Sequence, residues 1–205
     1  PEATYWTPSE GAVSVNSQLN AYQSQFHGLN NQGEAVGSLR LTNSTADHAI
    51  IWSQSGGLND LGTLGGSSAI ATDINNQGVV VGNIRQAQSG NDQAFVWTAS
   101  GGVTYLGDLG GGQSIATGIN DNGEVVGSSD TPGGQTHAFS WTQSGGMVDL
   151  GTLIGSSGLS SAYGINNDGV IVGSSDIYLR ARLQVDQPLG RSAPRTVSLQ
   201  PYTAA

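Results

Sequence analysis

The stretch Gly118–Gly127, GINDNGEVVG, decides the fold because close copies of it recur along the chain. The other copies are GLNNQGEAVG from Gly28, DINNQGVVVG from Asp73 and GINNDGVIVG from Gly164. Taken alone, the quoted copy has two interpretations. Asp121 and Glu124 resemble the oxygen ligands of a calcium loop. The same residues also fit a tight turn that leads into a β-strand.

Comparison of the four copies favours the turn. The carboxylates change position from copy to copy, whereas an asparagine and a glycine three residues later stay fixed. Asparagine caps its own backbone in turns, and glycine adopts the positive φ that such turns need. Calcium at Asp121 and Glu124 remains the alternative, and no other cofactor is predicted. The predicted turn residues are Asn30, Gly33, Asn75, Gly78, Asn120, Gly123, Asn166 and Gly169.

A repeat of about 45 residues runs through the chain, because the tryptophans are spaced by 46, 45 and 44 residues. Each unit contains four short apolar runs separated by turn signals, for example HAFSW from His137 and GMVDL from Gly146. Four strands per unit are typical of propeller blades. The sequence therefore predicts an all-β, β-propeller-like array of four four-stranded repeats, with an open β-solenoid or sandwich stack as the alternative. The predicted domain covers residues 1–176, with units at about 1–47, 48–92, 93–136 and 137–176.

Recurring aromatic and histidine residues are predicted to serve the scaffold. The tryptophans that end one strand of each unit are expected to pack between neighbouring sheets, with carbohydrate stacking as the alternative; they are Trp6, Trp52, Trp97 and Trp141. His48 and His137 occupy equivalent positions, and Gln93 takes that place in the unit between them. No Ser-His-Asp or paired-carboxylate arrangement follows from the spacing, so the protein is predicted not to be an enzyme. Asn43 lies in an N-glycosylation acceptor pattern.

Composition excludes several classes of function. The 205 residues carry a formal charge of −9 with no lysine, which disfavours binding to nucleic acid. Cysteine is absent, so disulfides and thiol chemistry are excluded, and no apolar run is long enough for a membrane-spanning helix. The chain begins with Pro1, and we interpret it as a processed or truncated product.

The segment 177–205 leaves the repeat pattern and is predicted to contain a strand. Apolar and basic residues alternate with a period of two, and four of the six arginines lie in this segment. Two interpretations stay open: the strand closes the last unit onto the first, or it is donated to the sheet edge of another subunit. The predicted assembly strand comprises Leu179, Arg180, Ala181, Arg182, Leu183 and Val185.

The triplet His137-Ala138-Phe139, the GGMVDLGTL segment from Gly145 and the IN-x-x-G-x-x-VG segments resemble the HAF repeats of bacterial extracellular proteins. The resemblance covers roughly Ala3 to Asp176, although the first unit lacks the DLGTLGG segment. It implies a secreted or surface-exposed β-repeat protein and carries over no catalytic residue. From the predicted strand of segment 177–205 we expect an extracellular structural protein that self-assembles head to tail, through that strand, into a homo-oligomer, fibre or surface layer. The alternative is a module that binds surface glycans or another ligand.

Overall fold

The computed structural model describes residues 1–9, 11–15 and 21–177. Within them the chain forms sixteen β-strands in antiparallel sheets and no helix, which confirms the prediction of an all-β repeat protein. The strands are β1 Thr4–Thr7, β2 Gly11–Ser14, β3 Ala21–Leu29, β4 Glu34–Leu41, β5 Asp47–Ser53, β6 Gly57–Gly62, β7 Ser68–Ile74, β8 Val80–Arg85, β9 Asp92–Thr98, β10 Gly102–Tyr105, β11 Ser114–Ile119, β12 Val125–Asp130, β13 Thr136–Thr142, β14 Gly146–Gly151, β15 Ser160–Ile165 and β16 Ile171–Ser175.

Three complete sheets follow one another along the chain: β3–β6, β7–β10 and β11–β14. Each is a four-stranded antiparallel meander in which strands adjacent in sequence are hydrogen-bonded neighbours. Two-stranded sheets, β1–β2 and β15–β16, lie before and after them. Each complete sheet starts with the strand that precedes the asparagine turn. The predicted units that start at His48 and His137 therefore begin within a sheet, between its second and third strands.

The tight turn explains this choice of sheet boundary. It joins the first strand of each sheet directly to the second, so these two strands pair along their whole length. The two longest connections between described strands, residues 106–113 and 152–159, follow the fourth strand of a sheet and carry the chain to the next sheet. The first strand of each sheet then packs against the preceding one: β7 contacts β3, β4 and β5, and β11 contacts β7, β8 and β9.

The hydrophobic core consists of layers between successive sheets. Val36 and Ala49 of the first complete sheet pack against Ile74 and Phe95 of the second. The next layer joins the second complete sheet to the third in the same way, around Phe139. Because alternate residues of a strand point to opposite faces, the inner sheets contribute one face to each of two layers. The fold is therefore built by stacking, and each sheet depends on its neighbours.

Three of the four recurring tryptophans contribute to these layers. Trp52 is buried beside Tyr5, with the ring centroids 4.3 Å apart, and Trp97 and Trp141 pack at the edges of the next two layers. Trp6 does not follow the prediction, because its side chain is 73% exposed. It projects from β1, which begins the series of described sheets, so no earlier described sheet covers the ring.

Candidate functional site

The four recurring turns have one geometry. Each asparagine side chain accepts hydrogen bonds through Oδ1 from the backbone N–H groups two and four residues later; for Asn75 these come from Gln77 at 3.0 Å and Val79 at 2.9 Å. The glycine adopts a positive φ, which is 74° at Gly78. The same two bonds occur in the other three turns. An asparagine at this position holds its own turn closed, because its carbonyl oxygen replaces a backbone acceptor.

The amide nitrogen of the same asparagine joins one repeat to the next. Asn30 Nδ2 donates to the backbone oxygen of Asn75, Asn75 Nδ2 to that of Asn120, and Asn120 Nδ2 to that of Asn166, each at 3.1 Å. We call this series the asparagine ladder. Asn30, Asn75 and Asn120 are buried. The first two bonds of the ladder are also buried, so water does not compete for their partners, whereas the bond to Asn166 is part-buried.

The residue after each ladder asparagine forms a second row of bonds between repeats. The backbone N–H of Asn31 donates to Asn76 Oδ1, that of Asn76 to Asp121 Oδ1, and that of Asp121 to Asn167 Oδ1, each at 2.9 Å. Every turn is thus fixed to the next by side-chain donors and by a side-chain acceptor. The polar residues of the turns hold the stack of sheets in register.

Asp121 participates in this second row. Its carboxylate accepts from the Asn76 backbone N–H and from the side-chain amides of Asn76 and Asn167, at 2.9, 2.9 and 2.8 Å. These bonds lower the pKa of the Asp121 carboxyl below its usual value, the Asn76 backbone bond having the largest effect. Within the described residues, no group of three His, Asp or Glu side chains is arranged to hold a metal ion. The amide donors around Asp121 give its carboxylate a structural role between two turns, while Glu124 lies at the other end of the turn.

A third row of bonds starts at a β-bulge in the first strand of each sheet. The pairing of first and second strands skips one residue, and this extra residue is His27, Thr72, Thr117 or Tyr163. His27 Nδ1 lies 2.9 Å from the carbonyl oxygen of Ala71. Thr72 Oγ1 donates to the carbonyl of Ala116 in the same way, at 3.0 Å. A bulge frees one side chain from the regular alternation, and here it is directed at the next sheet.

Asp73 follows the bulge of the second complete sheet and occupies a position that is glycine in the other repeats. Its Oδ2 accepts the backbone N–H of Ile119 from the next sheet at 3.0 Å, and its Oδ1 accepts that of Ile74 at 2.9 Å. Burial raises the pKa of the Asp73 carboxyl, although both N–H donors act in the opposite direction. Asp73 fits here because Gly28, in the preceding sheet, has no side chain: a Cβ at Gly28 would lie 2.8 Å from the Asp73 Cα and 3.0 Å from its Oδ1.

The repeated histidines join the last two strands of a sheet. His48 Nδ1 lies 2.9 Å from Asp60 Oδ2, and His137 Nδ1 lies 2.8 Å from Asp149 Oδ2. The other ring nitrogen of His137, Nε2, is buried and has no hydrogen-bond partner among the described residues. Burial shields Nε2 of His137 from solvent, while Nδ1 is taken up by Asp149.

A cleft of about 600 Å³ lies between the first two complete sheets, beside the asparagine turns. Glu34, Ile51, Gln77, Trp97 and Ser100 are among the residues that line it. One aromatic ring with amide, carboxylate and hydroxyl groups around it has the composition of a site for a polar, ring-shaped ligand. The cleft is open to solvent.

The two ends of the stack expose faces that are buried inside it. Val36, Val81 and Val126 occupy one position of the second strand and are 0% exposed, whereas the equivalent Val172 of β16 is 61% exposed. At the other end, Leu29 is 68% exposed. Its equivalents are buried under the preceding sheet; they are Ile74 at 4% and Ile119 at 7%. The chain therefore presents an apolar face at each end, and the two faces are the two sides of the interface that it repeats internally.

Two groups of predicted residues lie away from this arrangement. Asn43 is exposed in the loop between β4 and β5. The predicted assembly strand, from Leu179 to Val185, lies outside the described residues. Sequence reasoning missed the bulge residues and Asp73. In the sequence they were marked only by their position: they are the two residues that precede the Ile-Asn or Leu-Asn pair before each turn.

The fold and the ladder define a stacked β-repeat protein whose units are joined by hydrogen bonds from turn side chains. Comparison with protein-family models finds no match, and comparison with curated proteins finds none either. The resemblance to the HAF repeats therefore rests on the motifs alone. In the described part of the chain, no helix has the length and apolar character needed to cross a membrane.

Proposed function

We propose that this chain is a structural protein of the bacterial cell exterior that associates head to tail into a fibre or surface layer. The observation that carries the proposal is the pair of exposed end faces at Leu29 and Val172. Large exposed apolar faces mark interaction surfaces, and here each matches one side of an interface that the chain already forms within itself. A surface that fits its own opposite end is heterologous, so it builds chains of subunits or rings.

The internal interfaces also suit a mechanical role. Each one combines an apolar layer with three rows of hydrogen bonds, so neighbouring sheets resist both separation and sliding. Stability in such repeat proteins is a sum of units and interfaces, and it grows as units are added. The extracellular location is inferred from the HAF-like motifs, and the absence of cysteine leaves the stack to rely on these non-covalent contacts.

The four repeats can satisfy their end faces in two ways. Pairing of the two end sheets within one chain closes a four-bladed propeller, the ring expected from the repeat length. Pairing between chains extends the open stack into a fibre. The acidic body and the basic segment from Leu179 to Val185 favour contact between molecules, because opposite charges on two copies attract.

Light scattering and electron microscopy of the purified full-length chain test this proposal. We expect the average mass to rise with protein concentration and filaments or sheets to be visible. A variant with Arg180→Ser and Arg182→Ser tests the basic segment, whose contribution should weaken with added salt. A strictly monomeric chain up to about 100 µM, with no visible assemblies, would overturn the proposal, since that is the scale of the weak interactions expected of a small interface.

Glycan binding is a second candidate because of the cleft beside Trp97. Rings of sugars stack on aromatic faces, and Gln77 and Glu34 offer hydrogen-bond partners for hydroxyl groups. A glycan array probed with the chain tests this candidate, and Gln77→Ala together with Glu34→Ala should abolish any signal. Signal that survives both substitutions would place the binding elsewhere.

A further inference from the structure

The geometry points to a defined interface for this assembly: β15–β16 of one copy complete the half sheet β1–β2 of a second copy. This inference rests on the proposed function, and it names the surfaces and the partner. The composite sheet would have two strands from each copy. It would stack between the β11–β14 sheet of the first copy and the β3–β6 sheet of the second.

The first step is that the strands β1–β2 stack on the first complete sheet through a bond that also occurs between complete sheets. In the internal interfaces, the N–H of Ala94 donates to Ser114 Oγ of the next sheet, and the N–H of Ala138 donates to Ser160 Oγ, at 3.0 and 2.8 Å. Ala3, just before β1, makes the same bond to Ser24 Oγ at 2.8 Å. The strands β1–β2 therefore sit on the first complete sheet as the third and fourth strands of a preceding sheet.

The second step is that β15–β16 are the missing first and second strands. They carry the same bulge, at Tyr163, and the same asparagine turn, at Asn166, as the first two strands of every complete sheet. β15 also stacks on β11, β12 and β13, as the first strand of a sheet should. One half sheet lacks what the other supplies, and four strands are the number in each complete sheet.

The third step is the complementarity of the exposed apolar residues. Inside the chain, Val36 packs in one layer with Ile74, and Val81 packs in the next layer with Ile119. Val172 and Leu29 hold these two positions at the open ends. The equivalent contact is therefore Val172 of one copy against Leu29 of the other, and it covers two side chains that are each more than half exposed in the single chain.

The fourth step is the asparagine ladder. Asn30, Asn75 and Asn120 each donate through Nδ2 to the backbone oxygen of the next turn. Asn166 ends the series within the described residues. In the composite sheet its Nδ2 would donate to the Asn30 backbone oxygen of the second copy, which continues the ladder across the interface without a change in geometry.

The partner is a second copy because the two half sheets of a single chain are not paired with each other in the structure. β1–β2 and β15–β16 are separate two-stranded sheets, each stacked on its own neighbour at an opposite end of the series. Leu29 and Val172 both remain exposed in this arrangement. Pairing of the half sheets between two copies would cover both of these side chains.

Cysteine cross-linking tests the contact directly, because the chain has no cysteine of its own. We would mix full-length Leu29→Cys with full-length Val172→Cys and add a short bis-maleimide linker. The expected product is a cross-linked dimer of the two different variants. A mixture of Val172→Cys with Ser89→Cys, whose cysteine lies in the exposed loop between β8 and β9, should give almost none. Equal yields in both mixtures would overturn the inference.

A second variant separates the interface from the assembly itself. Val172→Asp places a charge on an exposed residue, so folding should be unaffected while association weakens at least about tenfold. If assemblies persist unchanged in Val172→Asp, and the Leu29→Cys and Val172→Cys mixture gives no specific cross-link, the interface is overturned but the proposed function stands. A wild-type chain that stays monomeric would remove both. Efficient cross-linking within one chain carrying both cysteines would show ring closure and overturn the choice of a second copy.

Discussion

Removal of one ladder asparagine offers the sharpest test of how the repeats are joined. Asn75 is buried, accepts two backbone hydrogen bonds in its own turn and donates one to Asn120 of the next sheet. Asn75→Ala removes all three. A net contribution of about 1 kcal/mol for each bond predicts a loss of about 3 kcal/mol in the free energy of unfolding. That is a large share of the total of about 5–15 kcal/mol typical of a domain.

The chain supplies a matched control for this substitution. Asn166 accepts the same two turn bonds but is exposed and makes no onward bond within the described residues. Water replaces the partners lost at an exposed site, so Asn166→Ala should cost only about 1 kcal/mol. Urea denaturation followed by tryptophan fluorescence and by circular dichroism measures both values at a protein concentration where the chain is monomeric.

A third variant separates the turn from the connection between repeats. Asn75→Asp keeps Oδ1 as an acceptor for the turn and replaces the Nδ2 donor by an oxygen that faces the carbonyl of Asn120. If the connection matters, this variant is destabilised at neutral pH almost as much as Asn75→Ala. Equal losses for Asn75→Ala and Asn166→Ala, or a neutral Asn75→Asp, would refute the reasoning, because the ladder would then add nothing to the turns.

The remaining predictions concern two carboxylates and one close approach of backbones. The pKa of Asp73 is raised, so its ionised form is disfavoured in the folded state; wild type should lose stability relative to Asp73→Asn as the pH rises above 3.8 through the folded pKa. The pKa of Asp121 is lowered, so its contribution is present above 3.8 and is lost as the pH falls through the folded pKa; Asp121→Asn should remove that loss on acidification. Urea denaturation across a pH series measures both, and slopes of the same sign would contradict the assignment. Gly127→Ala should cost about 3 kcal/mol, because the new Cβ would overlap the backbone oxygen of Ile115, whereas Gly123→Ala meets open space and should cost only about 1 kcal/mol for its positive φ of 78°.

The local elements of this fold could be predicted because their chemistry is contained in a few consecutive residues. The turn at Asn120 closes through bonds to residues two and four positions later, so its pattern is visible in any one copy. Strands such as Thr136–Thr142 follow from short apolar runs between such turns. The period of about 45 residues then predicts that these elements are repeated.

The connections between repeats were not predictable in the same way. Thr72 bonds to Ala116, and Asp73 to Ile119, across 44 and 46 residues. Such a bond depends on how one sheet rests on the next, and no local pattern encodes that placement. For the same reason, the recurrence of the tryptophans did not indicate that Trp6 is uncovered while the other three pack against a neighbouring sheet.

The candidate site, too, was predictable only in part. The fixed asparagines and glycines were recognised in the sequence as turn residues, which argued against a calcium loop at Asp121. Only the structure shows that these asparagines also join the sheets. The turn pattern in the sequence explains the role of the amide oxygen, but not that of the amide nitrogen, which donates to the next turn.

The sequence by itself determined the class of the protein: short strands, tight asparagine–glycine turns and a stacked β-repeat with an acidic body. These properties follow from bonds within a turn and from the alternation of apolar residues within a strand. Only the tertiary structure decided where each sheet begins, which side chains cross from one sheet to the next, and which apolar faces stay open at Leu29 and Val172. The physical reason is that each unit has the same apolar and hydrogen-bonding surfaces in its sequence, whereas their exposure depends on whether a neighbouring sheet covers them.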